Sequence, residues 1–397
     1  MCRGWVRGGH RREAGHEFYQ MLVTIPAASP SAMTSDDTPT AAGRAGSASD
    51  RAAQAALFDI CFSRSDGAEV LPWRYDGSPH GEALTHVVDG DGAQLLASYA
   101  CGPRMILNRG SDACPAGQTG DVMTSKEARG RGLFSGLDRA TMERAREAGW
   151  PVVFGLPNRA SAHIFVRDLD WEEVGALRPW TFVLCADAGA RAERMKASRL
   201  ASVAVPWTAW RGTMARGKLR KSFFGKINVV PIARFKPEAD DVAATVAREH
   251  PWFVRRDHED LNWRFIDAPS GRFRAHGVYE PSGAMRGWCV VQIPERGETV
   301  GHIADIVAAD EVAFAGALEA GLGHLRKVGA SVARAHAVAG SAWEARLKRS
   351  GFRAPSQEDT RPIILRVLDP AHPLTAIARD PKSWYFTDGD RDAELIG

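Results

Sequence analysis

The sequence predicts an α/β protein of the α+β kind, made of two similar domains in one chain. Three observations predict it. Between Gly120 and Phe134 a short apolar strand runs through a glycine-bearing turn into an amphipathic helix, with a further strand and helix behind it. Landmarks of this region recur in order later: Trp73-Arg74-Tyr75 with Pro79 returns as Trp263-Arg264-Phe265 with Pro269, 190 residues on. A repeat of that length means duplicated domains rather than a solenoid. Finally, 397 residues with 44% hydrophobic and 25% charged content make a chain long enough for two or three cores of ordinary globular composition.

Taken in order, residues 1–50 differ from the rest. A basic start (Arg3, Arg7, Arg11, Arg12) is followed by Ala-, Ser-, Thr- and Pro-rich sequence, which reads as a disordered extension, with Met33 as an alternative initiator. From Arg51 the apolar spacing of Ala55, Leu57, Phe58, Ile60 and Cys61 predicts a helix. Strands are expected at Thr85–Val88, Leu95–Ala100, Arg104–Leu107 and Asp121–Thr124, with a polar loop over 110–120. A strand at Val152–Gly155, a helix opening at Pro157-Asn158 and a strand at Trp180–Leu184 complete the first domain, 51–186. Residues 187–235 form a basic linker in which Arg216, Lys218, Arg220, Lys221 and Lys226 surround Phe223-Phe224. A second domain follows at 236–370. The tail, 371–397, is read as docked rather than as a cation loop, although Asp388, Asp390 and Asp392 are closely spaced.

The formal charge of +3 gives no argument for a nucleic-acid partner, and no window approaches the roughly 18 apolar residues that cross a bilayer. Six scattered cysteines, without a Cys-x-x-Cys pair or a His spacing suited to zinc, predict free thiols in a reducing cytoplasm and no metal.

The turn Arg129-Gly130-Arg131-Gly132 is where chemistry is expected. Glycines let backbone approach a phosphate, and the first-turn N–H groups of a helix present the positive end of its dipole. Two arginines interleaved with the glycines strengthen the case for a bound anion.

This turn, with the strand before it and the helix after it, resembles the acyl-coenzyme A signature of the GNAT superfamily of N-acyltransferases. The likeness covers roughly residues 55–185. It implies two domains, each with a mixed, mostly antiparallel sheet flanked by helices. It also implies that acetyl-CoA lies on Val122, Met123, Thr124, Arg129, Gly130, Arg131, Gly132, Leu133 and Phe134, with Asn158 touching the cofactor arm. Two departures stand out: Glu127 replaces the usual Gln or Arg, and Phe165 occupies the place of the Tyr that protonates the leaving thiolate. The second copy has Glu311-Val312-Ala313-Phe314 in place of the glycine turn, so it is expected to be degenerate and without cofactor.

Acyl transfer needs an unprotonated amine beside a polarised thioester. Asp121, on the strand before the turn, is the candidate general base, with His163 the other ionisable group nearby. Because Asp305 repeats Asp121 in the copy without a turn, a structural role for both competes. The same argument makes Arg74 and Arg264 structural, capping carbonyls while the Trp beside each one packs. The expected activity is transfer of an acetyl group from acetyl-CoA to a primary amine of a small molecule, with an amino sugar favoured by the resemblance, in a monomer or homodimer with no membrane or nucleic-acid partner. Two alternatives stay open: a non-catalytic acyl-CoA-binding subunit, and an aminoacyl-tRNA-dependent peptide ligase, which the intact turn disfavours.

Overall fold

A computed structural model describes residues 43–110, 113–185, 227–354 and 360–392. The expected N-terminal extension up to residue 42 and the basic run 216–226 lie outside the described residues. The described residues all fall within one compact unit.

Its spine is a single sheet to which both halves contribute. In the first half, β1 (Arg44–Ala45), β2 (Leu84–Asp89), β3 (Leu95–Leu107) and β4 (Cys114–Thr124) run antiparallel, and β4 pairs in parallel with β5 (Val152–Gly155). Four helices accompany them: α1 (Arg51–Phe62), α2 (Gly67–Tyr75), α3 (Leu133–Glu147) and α4 (Arg159–Asp168). After β6 (Glu172–Val183) the pattern repeats. The second half has β7 (Asn228–Ile232), α5 (Glu238–Ala247), β8 (Trp252–Val254), α6 (His258–Leu261), β9 (Phe273–Tyr279), β10 (Met285–Gln292), β11 (Val300–Ala308), α7 (Glu311–Lys327), β12 (Val332–Val338), α8 (Ala342–Arg349) and β13 (Arg361–Val367). As in the first half, the antiparallel run β9-β10-β11 ends in a parallel pair, β11 with β12.

The halves interlock through their last strands. β13 enters between β5 and β6, and β6 pairs with β12, giving the order β5-β13-β6-β12 across the middle of the sheet. The twelve-residue β6 serves both neighbours, using Glu172–Leu177 against β13 and Leu177–Val183 against β12. Each half is thus completed by the other's final strand.

Helices cover the sheet by burying apolar stripes. Leu133, Leu137, Met142 and Ala145 of α3 pack on Tyr99, Val153, Phe165 and Trp171. Phe314, Leu318, Leu322 and Leu325 of α7 do the same on Cys289, Ile303 and Ala333. The tail is docked through α9 (Pro373–Ala378) and β14 (Trp384–Tyr385). Trp384 stacks on Trp252 with ring centroids 4.4 Å apart, and both meet the edge of Phe154.

Several sequence expectations change. Residues 43–50, assigned to the extension, belong to the fold: Arg44 pairs across to Val87 and its guanidinium joins Asp50 and Asp89. The end of the expected linker is β7, an edge strand on β9. The strands expected at 95–100 and 104–107 are one, because Gly102-Pro103 does not break β3. Pairing with β2 stops at Cys101, so the N–H that Pro103 lacks has no ladder partner to lose there. Most of the loop expected at 110–120 is the start of β4, pulled into strand by backbone pairing with the far end of β3 despite its small residues.

Candidate active site

The turn after β4 has the geometry its sequence suggests. Lys126–Ala128 make one tight helical turn, Gly130 and Gly132 take φ values of 78° and 70°, and Gly132 caps α3. A side chain at φ near +70° is strained by about 1–2 kcal/mol, which is why glycine stands at both positions. Arg129 and Arg131 are exposed, and neither makes a hydrogen bond or ion pair among the described residues. The first-turn N–H groups of α3 have no intrahelical acceptor. Two unpaired guanidiniums and a helix N-terminus converge on one exposed turn, an arrangement that suits pyrophosphate.

Below the turn the sheet opens. β4 and β5 pair only at Gly117–Val153, Gln118–Phe154 and Thr119–Gly155, after which β4 continues alone to Thr124. The opening coincides with a bulge: Ser98 faces Met123 and Ala100 faces Gly120, so Asp121 and Val122 together oppose Tyr99. Val122 and Met123 pack inward, while the Thr124 carbonyl accepts from the Cys61 thiol at 3.7 Å. Leu133 is in the core. Phe134 stacks on Tyr99 and meets Phe165 edge-on at 5.0 Å. Phe165 is 2% exposed and also touches Trp171, so its place is filled by packing. Asn158 caps α4, its Oδ1 accepting from the Ser161 N–H at 2.9 Å. His163 is exposed on α4 beside Arg167, turned to solvent.

Asp121 sits in the bulge with φ 48°, a conformation a non-glycine residue keeps only when its surroundings hold it. They do: Arg74 forms an ion pair with its Oδ2, and Tyr75 Oη donates to the same oxygen at 2.9 Å. Burial, with Asp121 alongside, raises the Tyr75 hydroxyl well above its ordinary pKa. Arg74 therefore binds a carboxylate at the site, where a carbonyl was expected. Arg264 does meet that expectation, donating to the Gly389 carbonyl at 2.9 Å. Trp73 and Trp263 stack at 5.0 Å and each indole N–H donates to the other's carbonyl at 2.9 Å, so the repeated triplet is a reciprocal contact between the halves.

A recess opens beside the bulge, lined by Arg74, Tyr75, Arg104, Gln118, Asp121 and Asp392 among others. Asp392 reaches it from the tail. A Cβ on Gly120 would lie 2.6 Å from Asp392 Oδ2, so the glycine admits this carboxylate against β4. Burial and the neighbouring Asp121 raise the Asp392 pKa above the usual carboxylate range, with Arg74 opposing. Arg104, itself buried, donates to Gln118 at 2.7 Å and lines both this recess and a second one that reaches Arg256, Asp260 and Arg264.

The corresponding opening in the second half is occupied by protein. Thr387 donates to Asp305 Oδ1 at 2.7 Å, the His336 N–H donates to Asp388 Oδ2 at 2.9 Å, and buried Arg256 joins Asp305 to Asp390. Asp305 thus fastens the tail, and also accepts from the Trp288 indole at 2.9 Å. Sequence reasoning missed Asp392, Tyr75, Arg104 and Gln118 as site residues. Only the closely spaced tail carboxylates were visible, and nothing local said where they dock.

Residues 43–174 match the family model of the acetyltransferase (GNAT) domain. No curated protein matches the chain. Among solved structures, a probable N-acyltransferase from Enterococcus faecalis V583 aligns with a TM-score of 0.58 at 13% identity, covering 82% of this chain and 72% of that one. A GCN5-related N-acetyltransferase from Anabaena variabilis ATCC 29413 aligns at 0.56 and 13% identity, covering 82% and 73%. Another from Kribbella flavida aligns at 0.52 and 15%, covering 83% and 72%. At such identities these likenesses speak for the fold, a mixed, mostly antiparallel sheet with flanking helices. The match over residues 43–174 marks that third of the chain as similar to a GNAT acetyltransferase domain.

Proposed function

We propose that the chain transfers an acetyl group from acetyl-CoA to a primary amine of a small molecule, an amino sugar being the acceptor favoured by the sequence resemblance. One observation carries this: an exposed two-glycine, two-arginine turn at a helix start follows a strand whose bulge borders a recess with two carboxylates. In this reading Arg129, Arg131 and the amides around Gly130 and Gly132 hold the pyrophosphate. The arm of the donor lies along Val122–Thr124 beside Leu133, Phe134 and Asn158. The second half is a degenerate copy without donor, consistent with its lost glycine turn and with the tail that fills its opening.

The base is reassigned within the recess. Asp121 is held by Arg74 and Tyr75, so its part is to fix the bulge. Asp392, whose proton affinity burial increases, takes the proton of the ammonium or of the attacking amine. The amine nitrogen bonds to the thioester carbonyl carbon, the C–S bond breaks, and the thiolate collects its proton from solvent because Phe165 has none to give.

Isothermal titration of acetyl-CoA into the wild type and into Gly130→Glu tests the donor site. The wild type is expected to bind and the variant to lose at least tenfold in affinity while keeping its circular dichroism. Turnover against an amine panel follows. Binding without turnover by any amine would favour the alternative, an acyl-CoA-binding subunit, and absence of binding to folded wild type would refute both.

A further inference from the structure

Three side chains remote from each other in sequence meet under the tail in the second half. His302 lies on β11 and His336 on β12. The parallel register sets His302 beside Arg334, so His302 and His336 share a face of the sheet, their rings nearly parallel with centroids 6.3 Å apart. Asp388 descends onto that face from the turn after Thr387. One ligand-type atom from each of the three lies within 4.8 Å of the others, and all three residues are buried.

The hydrogen bonding around them is incomplete. His302 Nδ1 is buried and has no hydrogen-bond partner among the described residues. His336 Nδ1 is in contact with Asp388 Oδ1 at 2.7 Å. Buried polar atoms normally find partners, and a buried imidazole nitrogen left without one beside a histidine–carboxylate pair is what a cation site looks like before its ion is added. Asp388 is positioned by its second oxygen, which accepts the His336 N–H, so Oδ1 faces the histidines.

We propose that His302, His336 and Asp388 bind one divalent transition-metal ion of borderline softness, with zinc as the reference ion. Two imidazoles and one carboxylate suit such an ion, whereas magnesium and calcium prefer all-oxygen sets. The ion would sit where the pairing of β11 with β12 ends at His302 and would fasten both strands to the tail. One feature opposes it: Arg391 Nη1 stands 3.4 Å from Asp388 Oδ1, and Arg334 is on the same face. Arg391 competes for the carboxylate, so affinity is moderate and removing Arg391 strengthens it.

The test uses the full chain, stripped with a chelator and titrated calorimetrically with Zn²⁺, with Co²⁺ as a spectroscopic probe. The expected result is one equivalent bound. Folded His302→Gln and Asp388→Asn should weaken it at least tenfold, and Arg391→Gln should tighten it. X-ray absorption of the wild-type zinc complex should show nitrogen and oxygen neighbours with two imidazoles, a readout that stands even if a variant fails to fold. No stoichiometric binding, an equivalent that both folded variants retain, or a sulfur-containing zinc shell overturns the proposal.

Discussion

Asp138, on the helix that follows the two-glycine turn, lends itself to a quantitative test. Its carboxylate is 1% exposed, accepts from Tyr99 Oη at 2.7 Å and from the Trp171 indole at 3.3 Å, and ties α3 to β3 and to the start of β6. Desolvation outweighs these donors and pushes its pKa up from 3.8 to about 6. The folded state therefore holds this proton more tightly than the unfolded chain. The stabilising contribution is complete below the unfolded value, declines as pH rises from about 4 to about 6, and is absent above. At 1.36 kcal/mol per pH unit, the charged form costs the fold roughly 3 kcal/mol at pH 8. Asp138→Asn keeps an oxygen for both donors and removes the charge. Its free energy of unfolding in urea should exceed that of the wild type by roughly 1–3 kcal/mol at pH 8, and the difference should shrink towards zero near pH 4. Histidines that titrate over the same range, such as His86, are common to both proteins and cancel in the difference. A difference that does not change with pH, or an Asn variant less stable than wild type at pH 8, would refute the reasoning.

Other expectations follow from the same structure. Asp392→Asn should lower kcat and change its pH profile while leaving acetyl-CoA affinity within a factor of about two, whereas loss of donor binding would show that the tail supports the cofactor site instead. Phe165→Tyr should not raise kcat and should cost roughly 1–3 kcal/mol of stability, since the ring is enclosed by Phe134 and Trp171 and a hydroxyl there is buried. Arg256→Ala strands the buried Asp305 and Asp390 and should cost about 3–5 kcal/mol by urea denaturation. Trp73→Ala and Trp263→Ala should each cost about 3–5 kcal/mol, with the double variant well short of their sum, because each indole's partner is the other residue.

Local chemistry made part of this protein legible from sequence. The glycines at 130 and 132, the arginines between and before them and the helix that follows are contiguous, and the backbone demands of an anion turn are met within those few residues. Phe165 was legible as core for the same reason: a phenyl ring has no polar group to offer. Apolar spacing placed most strands and helices of the first half, and the two Trp-Arg-aromatic triplets proved to touch each other through their Trp side chains. Tertiary structure alone decided what lies far apart in sequence and close in space. The exchange of β6 and β13 between the halves depends on which strand edges find each other, and no local pattern encodes a partner. Asp392 reaches the recess only because Trp384 and Phe386 bury the tail and Gly120 leaves room for a carboxylate. His302, His336 and Asp388 converge because two strands pair in parallel and a third segment crosses them. Turns and helix starts are specified by neighbouring residues, whereas a site assembled across a sheet is specified by packing, whose partners are set only once the chain has folded.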